Sequence, residues 1–278
     1  MLILPLDRTR SRSASRTARR SFAAQLSREN STSVAMAGRL SAVTWATQDG
    51  FDVRFDWGAP GVARLGPLCR TLVVVDILRF STAVETGLSH GLVVEPERWP
   101  MPRSSGPARD AFVADGSVPG GPSLSPASLL LLPPGARVVL PSLNGATCAR
   151  AASDIGALVI AGSLRNASAV ARYVARAPFP VGVIAAGDLA ADGTMRPAVE
   201  DILGAAAILR GLPGTRSPEA AVAEAGFASE PLALVRESAS ARQLASVGHV
   251  EDAEWAGQLD VSTCVPVLSG DHFVEAED

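Results

Sequence analysis

The stretch TLVVVDILRFSTA, residues 71–83, sets how the rest of the chain is read. Thr71–Val75 is a run of β-branched and aliphatic residues with no polar alternation. That pattern suits a strand covered on both faces, as in parallel sheets. The run stops at Asp76, and Arg79, Ser81 and Thr82 follow at once. The same rhythm returns twice. RVVLPSLNGAT (137–147) ends in Ser142, Asn144, Gly145 and Thr147, and ALVIAGSLRNASAVARYV (157–174) passes into Gly162, Ser163, Arg165, Asn166 and Ser168. In open parallel sheets ligands bind outside the carboxyl ends of the strands. Three polar strand ends therefore predict one shared site built from an acid, an arginine and helix N-termini.

Outward from these stretches, strand and helix patterns alternate. Strands are expected at 71–75, 92–95, 137–140, 157–161, 181–185 and 263–268. Helices are expected at 82–90, 146–153, 166–176, 198–211, 218–226 and 231–247. Alternation of this kind predicts an α/β fold of three layers, α/β/α, around a mostly parallel sheet. Residues 42–57 read as a β-hairpin at the sheet edge: Asp49-Gly50 is a favoured two-residue turn, and Phe51, Val53, Phe55 and Trp57 alternate with polar residues. Residues 96–135, rich in Pro, Gly and Ser, read as a long loop with one short helix near 107–114. Residues 1–35 carry seven Arg against Asp7 and Glu29 and have no apolar period. They read as a disordered Arg/Ser-rich tail or a mis-assigned start, leaving 36–278 as one domain.

Composition excludes several chemistries. All 25 basic residues are Arg, and without Lys neither a Schiff-base enzyme nor a P-loop hydrolase can be built. The net charge is −3, and the basic tail leaves the body more acidic still, which argues against nucleic-acid binding. Cys69, Cys148 and Cys264 fit neither a disulfide framework nor a metal clip, and read as buried apolar residues of a cytoplasmic protein. His90, His249 and His272 lie in no hydrolase or zinc motif. No apolar run approaches the roughly 18 residues of a membrane span, and no GxGxxG follows a strand.

What remains is anion and metal chemistry. Asp76 stands at the mouth of a buried strand. It could ligate Mg2+, which favours one or two carboxylates plus water and phosphate, or it could cap a helix or pair with Arg79. The flat guanidinium of Arg79 matches phosphate, sulfonate or carboxylate, or forms a salt bridge to Asp76 or Glu85, and the two roles are compatible. Asn144-Gly145 and Ser163–Asn166 sit where helices begin, positions that either bind anions or cap the helix. Glu200-Asp201 interrupts the apolar run AVEDILGAAAIL. Two carboxylates beside aliphatic surface are costly unless paired or metal-bound, and successive helical residues diverge by about 100°, so only one is expected to face the site squarely; the alternative is a solvated helix start whose charge suits the dipole.

These motifs, taken in order, resemble the 2-phosphosulfolactate phosphatases of coenzyme M biosynthesis. The stretches that carry the resemblance are VVVDILRFSTAVETGLSHG (73–91), SLSPASL (123–129), VVLPSLNGAT (138–147), IAGSLRNASAVARYV (160–174), VGVIAAG (181–187) and VEDILGAAAIL (199–209). The resemblance implies a layered α/β/α fold and magnesium-dependent hydrolysis of a phosphate ester, in the family's own case 2-phospho-3-sulfolactate to 3-sulfolactate and phosphate. It makes Asp76, Glu200 and Asp201 metal candidates, with Asp76 or Glu200 catalytic. It makes Arg79, Ser81, Thr82, Asn144, Gly145, Ser163 and Asn166 substrate contacts. The implied partner is a small phosphorylated acid, with no nucleic acid or membrane and with a homo-oligomer left open. One departure stands out: the family usually carries Gly-Glu-Arg before the Ser-Pro pair, whereas this chain reads ADGSVPGGPSLSP. That departure motivates a second reading, a catalytically degenerate small-anion binding protein.

Overall fold

The computed structural model describes residues 45–101, 110–190 and 192–277. The tail expected at 1–35 lies outside them. Residues Ala46–Asp278 form one compact unit. In chain order its sheet strands are β1 (Val53–Trp57), β2 (Thr71–Val75), β3 (Val93–Arg98), β4 (Phe112–Val113), β5 (Arg137–Ser142), β6 (Leu158–Gly162) and β7 (Val181–Ala185). A small ribbon of β8 (Asp188–Leu189) and β9 (Met195–Arg196) follows, and then β10 (Pro266–Ser269) and β11 (His272–Glu275). The helices are α1 (Gly58–Leu65), α2 (Phe80–Ser89), α3 (Pro126–Leu129), α4 (Gly145–Asp154), α5 (Ala167–Val174), α6 (Val199–Leu209), α7 (Pro218–Glu224), α8 (Leu232–Glu237), α9 (Ala239–Ser246) and α10 (Val250–Ala256). Among the described residues no helix is long and apolar enough to cross a membrane.

The main sheet has nine strands in the order β1-β7-β2-β6-β10-β11-β3-β5-β4. It is mostly parallel and covered on both faces, which explains the unbroken apolar runs: every residue of β2 and β7 is buried. One face packs under α5, α6 and α7 through Val73, Val75, Ile160, Val183, Ile208 and Ala220. The other packs under α1, α2 and α4 through Leu65, Leu72, Val74, Phe80, Ala149 and Ala161.

Strand direction departs from the simple expectation. β1, β7, β2 and β6 run parallel. The hairpin β10–β11 then pairs antiparallel to β6 on one side and to β3 on the other. β3 and β5 are parallel to each other and therefore run opposite to β2. The ends of β2 and β5 do not share one carboxyl edge. In a flat sheet the five strand spacings between them would amount to about 24 Å. Yet Gly145, just past β5, hydrogen-bonds Asp76, just past β2, at 3.0 Å. The sheet must curl to allow this, and side chains from β2, β6, β11, β3 and β5 all enter the single hydrophobic cluster that contains α2 and α4.

Other expectations need correction. β1 does occupy the sheet edge, but it pairs in parallel with β7, and Trp45–Thr47 before the Asp49-Gly50 turn is a 3-10 turn and not a hairpin strand. Residues 42–44 lie outside the described residues. The helix expected near 107–114 falls partly outside them; its described part holds β4, where Phe112 and Val113 find open backbone partners along β5. The single helix expected at 231–247 is two. Ser238 is extended (φ −63°, ψ 155°), and its hydroxyl accepts from Ala241 N at 3.1 Å, capping α9 and breaking the run.

Candidate active site

The loop after β2 is tied down by its own polar side chains. Ser81 Oγ donates to Val74 O at 3.0 Å and accepts from Asp76 N at 3.0 Å. Thr82 Oγ1 donates to Ile77 O at 2.8 Å. Both residues are fully buried. They shape the turn and do not line the cavity beside it, contrary to the substrate-contact role carried over by resemblance. Asp76 is thereby held at the start of α2. Its Oδ1 accepts from Phe80 N at 3.1 Å and its Oδ2 from Gly145 N at 3.0 Å.

Asp201 is fixed in a similar way. Its Oδ1 accepts from Ile77 N at 2.8 Å and its Oδ2 from Gly187 N at 2.9 Å. This stitches α6 to the loops after β2 and β7. The approach is close because residue 204, one turn further along α6, is glycine: a Cβ there would stand 2.5 Å from Ile77 Cδ1. Glu200, the neighbour of Asp201, differs. It is 1% exposed, and its Oε2 has no hydrogen-bond partner among the described residues. The two adjacent carboxylates divide the work: one is saturated by backbone, the other is left open.

A cavity of about 340 Å³ lies between these elements. Asp76, Arg79, Asn144, Glu200 and Asp201 line it together with Ser142 and Gly187. The far wall comes from Ser240, Gln243, Leu244 and Val247 on and just after α9. Asp188, also in the wall, pairs with Arg196 at 3.0 Å, and Arg196 donates to Ser240 Oγ at 2.8 Å. None of these α9 residues carried a recognisable signal in the sequence, because nothing local places that amphipathic helix over the cavity. A second cavity of about 390 Å³ adjoins the first, sharing Arg79, Leu124, Ser142 and Leu143, and includes Trp99, Asp115 and His249.

Electrostatics concentrate here. Burial pushes the Asp76 carboxyl up to about 6. The Phe80 and Gly145 amides and Arg79 oppose that rise, and the Glu200 charge adds to it. Burial also holds Asp201 well above the usual carboxylate range, helped by the nearby charges of Asp76 and Glu200. Three carboxylates in one desolvated neighbourhood repel one another. Arg79 is the cation in the cavity wall, 19% exposed, with one nitrogen on Asp252 at 3.0 Å.

The third strand end behaves differently from the other two. Asn166 Oδ1 accepts from Ser163 N at 2.8 Å and from Ser163 Oγ at 3.0 Å, and Asn166 Nδ2 donates to Cys264 O at 2.9 Å. Ser163 and Asn166 are fully buried and satisfy each other, so they do not join Asp76, Arg79, Asn144 and Glu200 around the cavity. Gly145 contributes backbone only, its N–H being shared by Asp76 Oδ2 and Ser142 Oγ. The cysteines are buried and free. Burial raises the thiols of Cys69 and Cys264 to about 11 and about 12 and that of Cys148 further, which leaves them poor nucleophiles.

Among the described residues no group of three or more His, Cys, Asp or Glu side chains is arranged to hold a metal ion by itself. Magnesium does not require such a cage, since it keeps several waters and binds through one or two carboxylates plus substrate phosphate. No curated protein matches the chain. A family model described as 2-phosphosulpholactate phosphatase matches residues 124–271, which takes in Asn144, Glu200 and Asp201 but begins after Asp76 and Arg79. The match spans more than half of the sequence, and the chain belongs to the 2-phosphosulpholactate phosphatase family of phosphoric monoester hydrolases.

Proposed function

We propose that this protein is a magnesium-dependent phosphatase that hydrolyses the phosphate ester of a small hydroxy acid, the family's 2-phosphosulfolactate being the first candidate. The observation that carries the reading is Glu200 Oε2: a buried acceptor without a partner, on a side chain that lines the same cavity as Asp76 and Arg79. A buried carboxylate oxygen left open is costly and fits a cation or a reacting water. Two like-charged carboxylates beside it strengthen the case for a divalent ion.

Glu200 would hold Mg2+ through its open oxygen, with Asp76 and Asp201, whose oxygens each accept one backbone amide and keep a second lone pair, as the further ligand candidates beside it. When bound, the ion would supply Lewis-acid neutralisation of the charge that develops on the transferring phosphoryl group. The guanidinium of Arg79 would bind the remaining anionic oxygens. Asn144, half-buried in the wall with no side-chain hydrogen bond among the described residues, would donate its amide to the same group. The open Oε2 of Glu200 would accept the proton of the attacking water.

The test is phosphate release from a panel of phosphorylated hydroxy acids, 2-phosphosulfolactate among them, with Mg2+ and with chelator. Release that the chelator abolishes supports the reading. Phosphate binding without release from any ester would favour the non-catalytic anion binder suggested by ADGSVPGGPSLSP at 114–126.

A further inference from the structure

Three segments far apart in the chain meet behind Arg79. Its Nη1 donates to Asp252 Oδ2 at 3.0 Å. The other oxygen of that carboxylate, Oδ1, accepts from Ser125 Oγ at 2.5 Å. Asp252 is 2% exposed and Ser125 is 6% exposed. Ser125 is itself fixed: its N–H donates to Ser123 Oγ at 3.1 Å, and its carbonyl accepts from Ser128 Oγ at 2.7 Å. The remaining N–H groups of Arg79 have no partner among the described residues, and the side chain lines both adjoining cavities.

This arrangement is poor as a stability device. A buried ion pair roughly breaks even against apolar packing of the same volume. It is useful when a guanidinium must be held at one angle with its free edge available. An arginine on a loop has several rotatable bonds, and fixing them before a ligand arrives removes that ordering cost from binding. A short hydrogen bond from a hydroxyl fixes the carboxylate, and the carboxylate fixes the guanidinium.

Resting on the phosphatase reading, we propose that Asp252, braced by Ser125, is a positioning residue that holds Arg79 as the anion clamp of the site. The Ser-Pro turn at 125–126 and α10 then serve binding without touching substrate. In this account Asp252 acts only through Arg79.

The experiment titrates inorganic phosphate, with Mg2+ present, into the full-length wild type and into Asp252→Asn, Asp252→Glu, Ser125→Ala, Arg79→Gln and the double variant Asp252→Asn/Arg79→Gln. Kinetics with the best ester accompany the titration. Losing a charged hydrogen-bonding partner weakens binding by about tenfold or more, so Asp252→Asn should bind phosphate that much more weakly and raise KM more than it lowers kcat. Asp252→Glu should recover part of the loss, and the double variant should be little worse than Arg79→Gln alone. A folded Asp252→Asn that binds phosphate as the wild type does would overturn the proposal. If that variant does not fold, Ser125→Ala decides: weaker phosphate binding supports the brace, and unchanged binding overturns it. The two readings fail separately. A wild type that binds phosphate but hydrolyses no ester defeats the phosphatase reading, while the phosphate titration still decides the role of Asp252.

Discussion

Asp76 Oδ2 accepts a hydrogen bond from Gly145 N at 3.0 Å, joining the ends of two strands that run in opposite directions with four other strands between them in the sheet. The contact exists because residue 145 has no side chain. A Cβ there would stand 2.4 Å from Phe80 Cδ1 and 2.6 Å from Asp76 Oδ2. Gly145→Ala should therefore cost about 1–3 kcal/mol and displace Asp76. The urea midpoint and phosphate release should both fall; a variant as stable and active as the wild type would mean that the contact is dispensable.

Asp201 holds α6 against two loops. Asp201→Ala removes the acceptor for the buried Ile77 and Gly187 amides, each worth about 1–3 kcal/mol when orphaned. Relief of repulsion with Asp76 and Glu200 offsets part of that. A net loss of about 1–3 kcal/mol by urea unfolding is expected, along with loss of turnover.

Stability of the protein in chelator should depend on pH through Asp76. Its carboxyl is held near 6 in the folded state, against a model-peptide value of 3.8. Between these values the folded state carries the extra proton, so its stabilising effect is complete below about pH 4 and is lost as pH rises through 6. Asp201 is raised as well and acts in the same direction. The unfolding free energy from urea titration in chelator should fall from pH 4.5 to pH 7.5, by about 2 kcal/mol if Asp76 acts alone. Mg2+ should restore more stability at pH 7.5 than at pH 4.5. A midpoint that rises across this range would contradict the burial of these carboxylates.

Asn166 separates a scaffold role from a binding role. Asn166→Ala forfeits the bonds to Ser163 and to Cys264 O and should cost about 2–4 kcal/mol. At a temperature where the variant is folded, its KM should match the wild type. A raised KM with unchanged stability would return Asn166 to the substrate site.

Much of this was legible in the sequence where the signal is local. Thr71–Val75 and Val181–Ala185 match β2 and β7 residue for residue, because a strand buried on both faces reads as an unbroken run of aliphatic and β-branched residues. Asp76, Arg79, Asn144 and Glu200, which line one cavity, could be read as candidates because each follows or interrupts an apolar run. Ser163 and Asn166 fit the same pattern but close on each other, since a cap and an anion contact use the same residue types. The reversal of β5 and the curl of the sheet were not legible. They depend on the hairpin β10–β11 entering between β6 and β3, a choice of strand order that leaves no local mark. Asp252 was invisible for the same reason: its role comes from meeting Arg79 and Ser125, 173 and 127 residues away.

The central claim is that the open carboxylate of Glu200 serves a magnesium-dependent phosphatase site. Glu200→Gln keeps the side chain's shape and removes its charge, and its Oε2 has no protein hydrogen bond to lose. Calorimetric titration of Mg2+ into wild type and Glu200→Gln, paired with phosphate release from the best ester, measures the claim directly. The account predicts Mg2+ binding and chelator-sensitive release in the wild type, at least tenfold weaker Mg2+ binding and near-complete loss of release in the variant, and an unfolding midpoint no lower than that of the wild type. A variant that binds Mg2+ and releases phosphate like the wild type would contradict it.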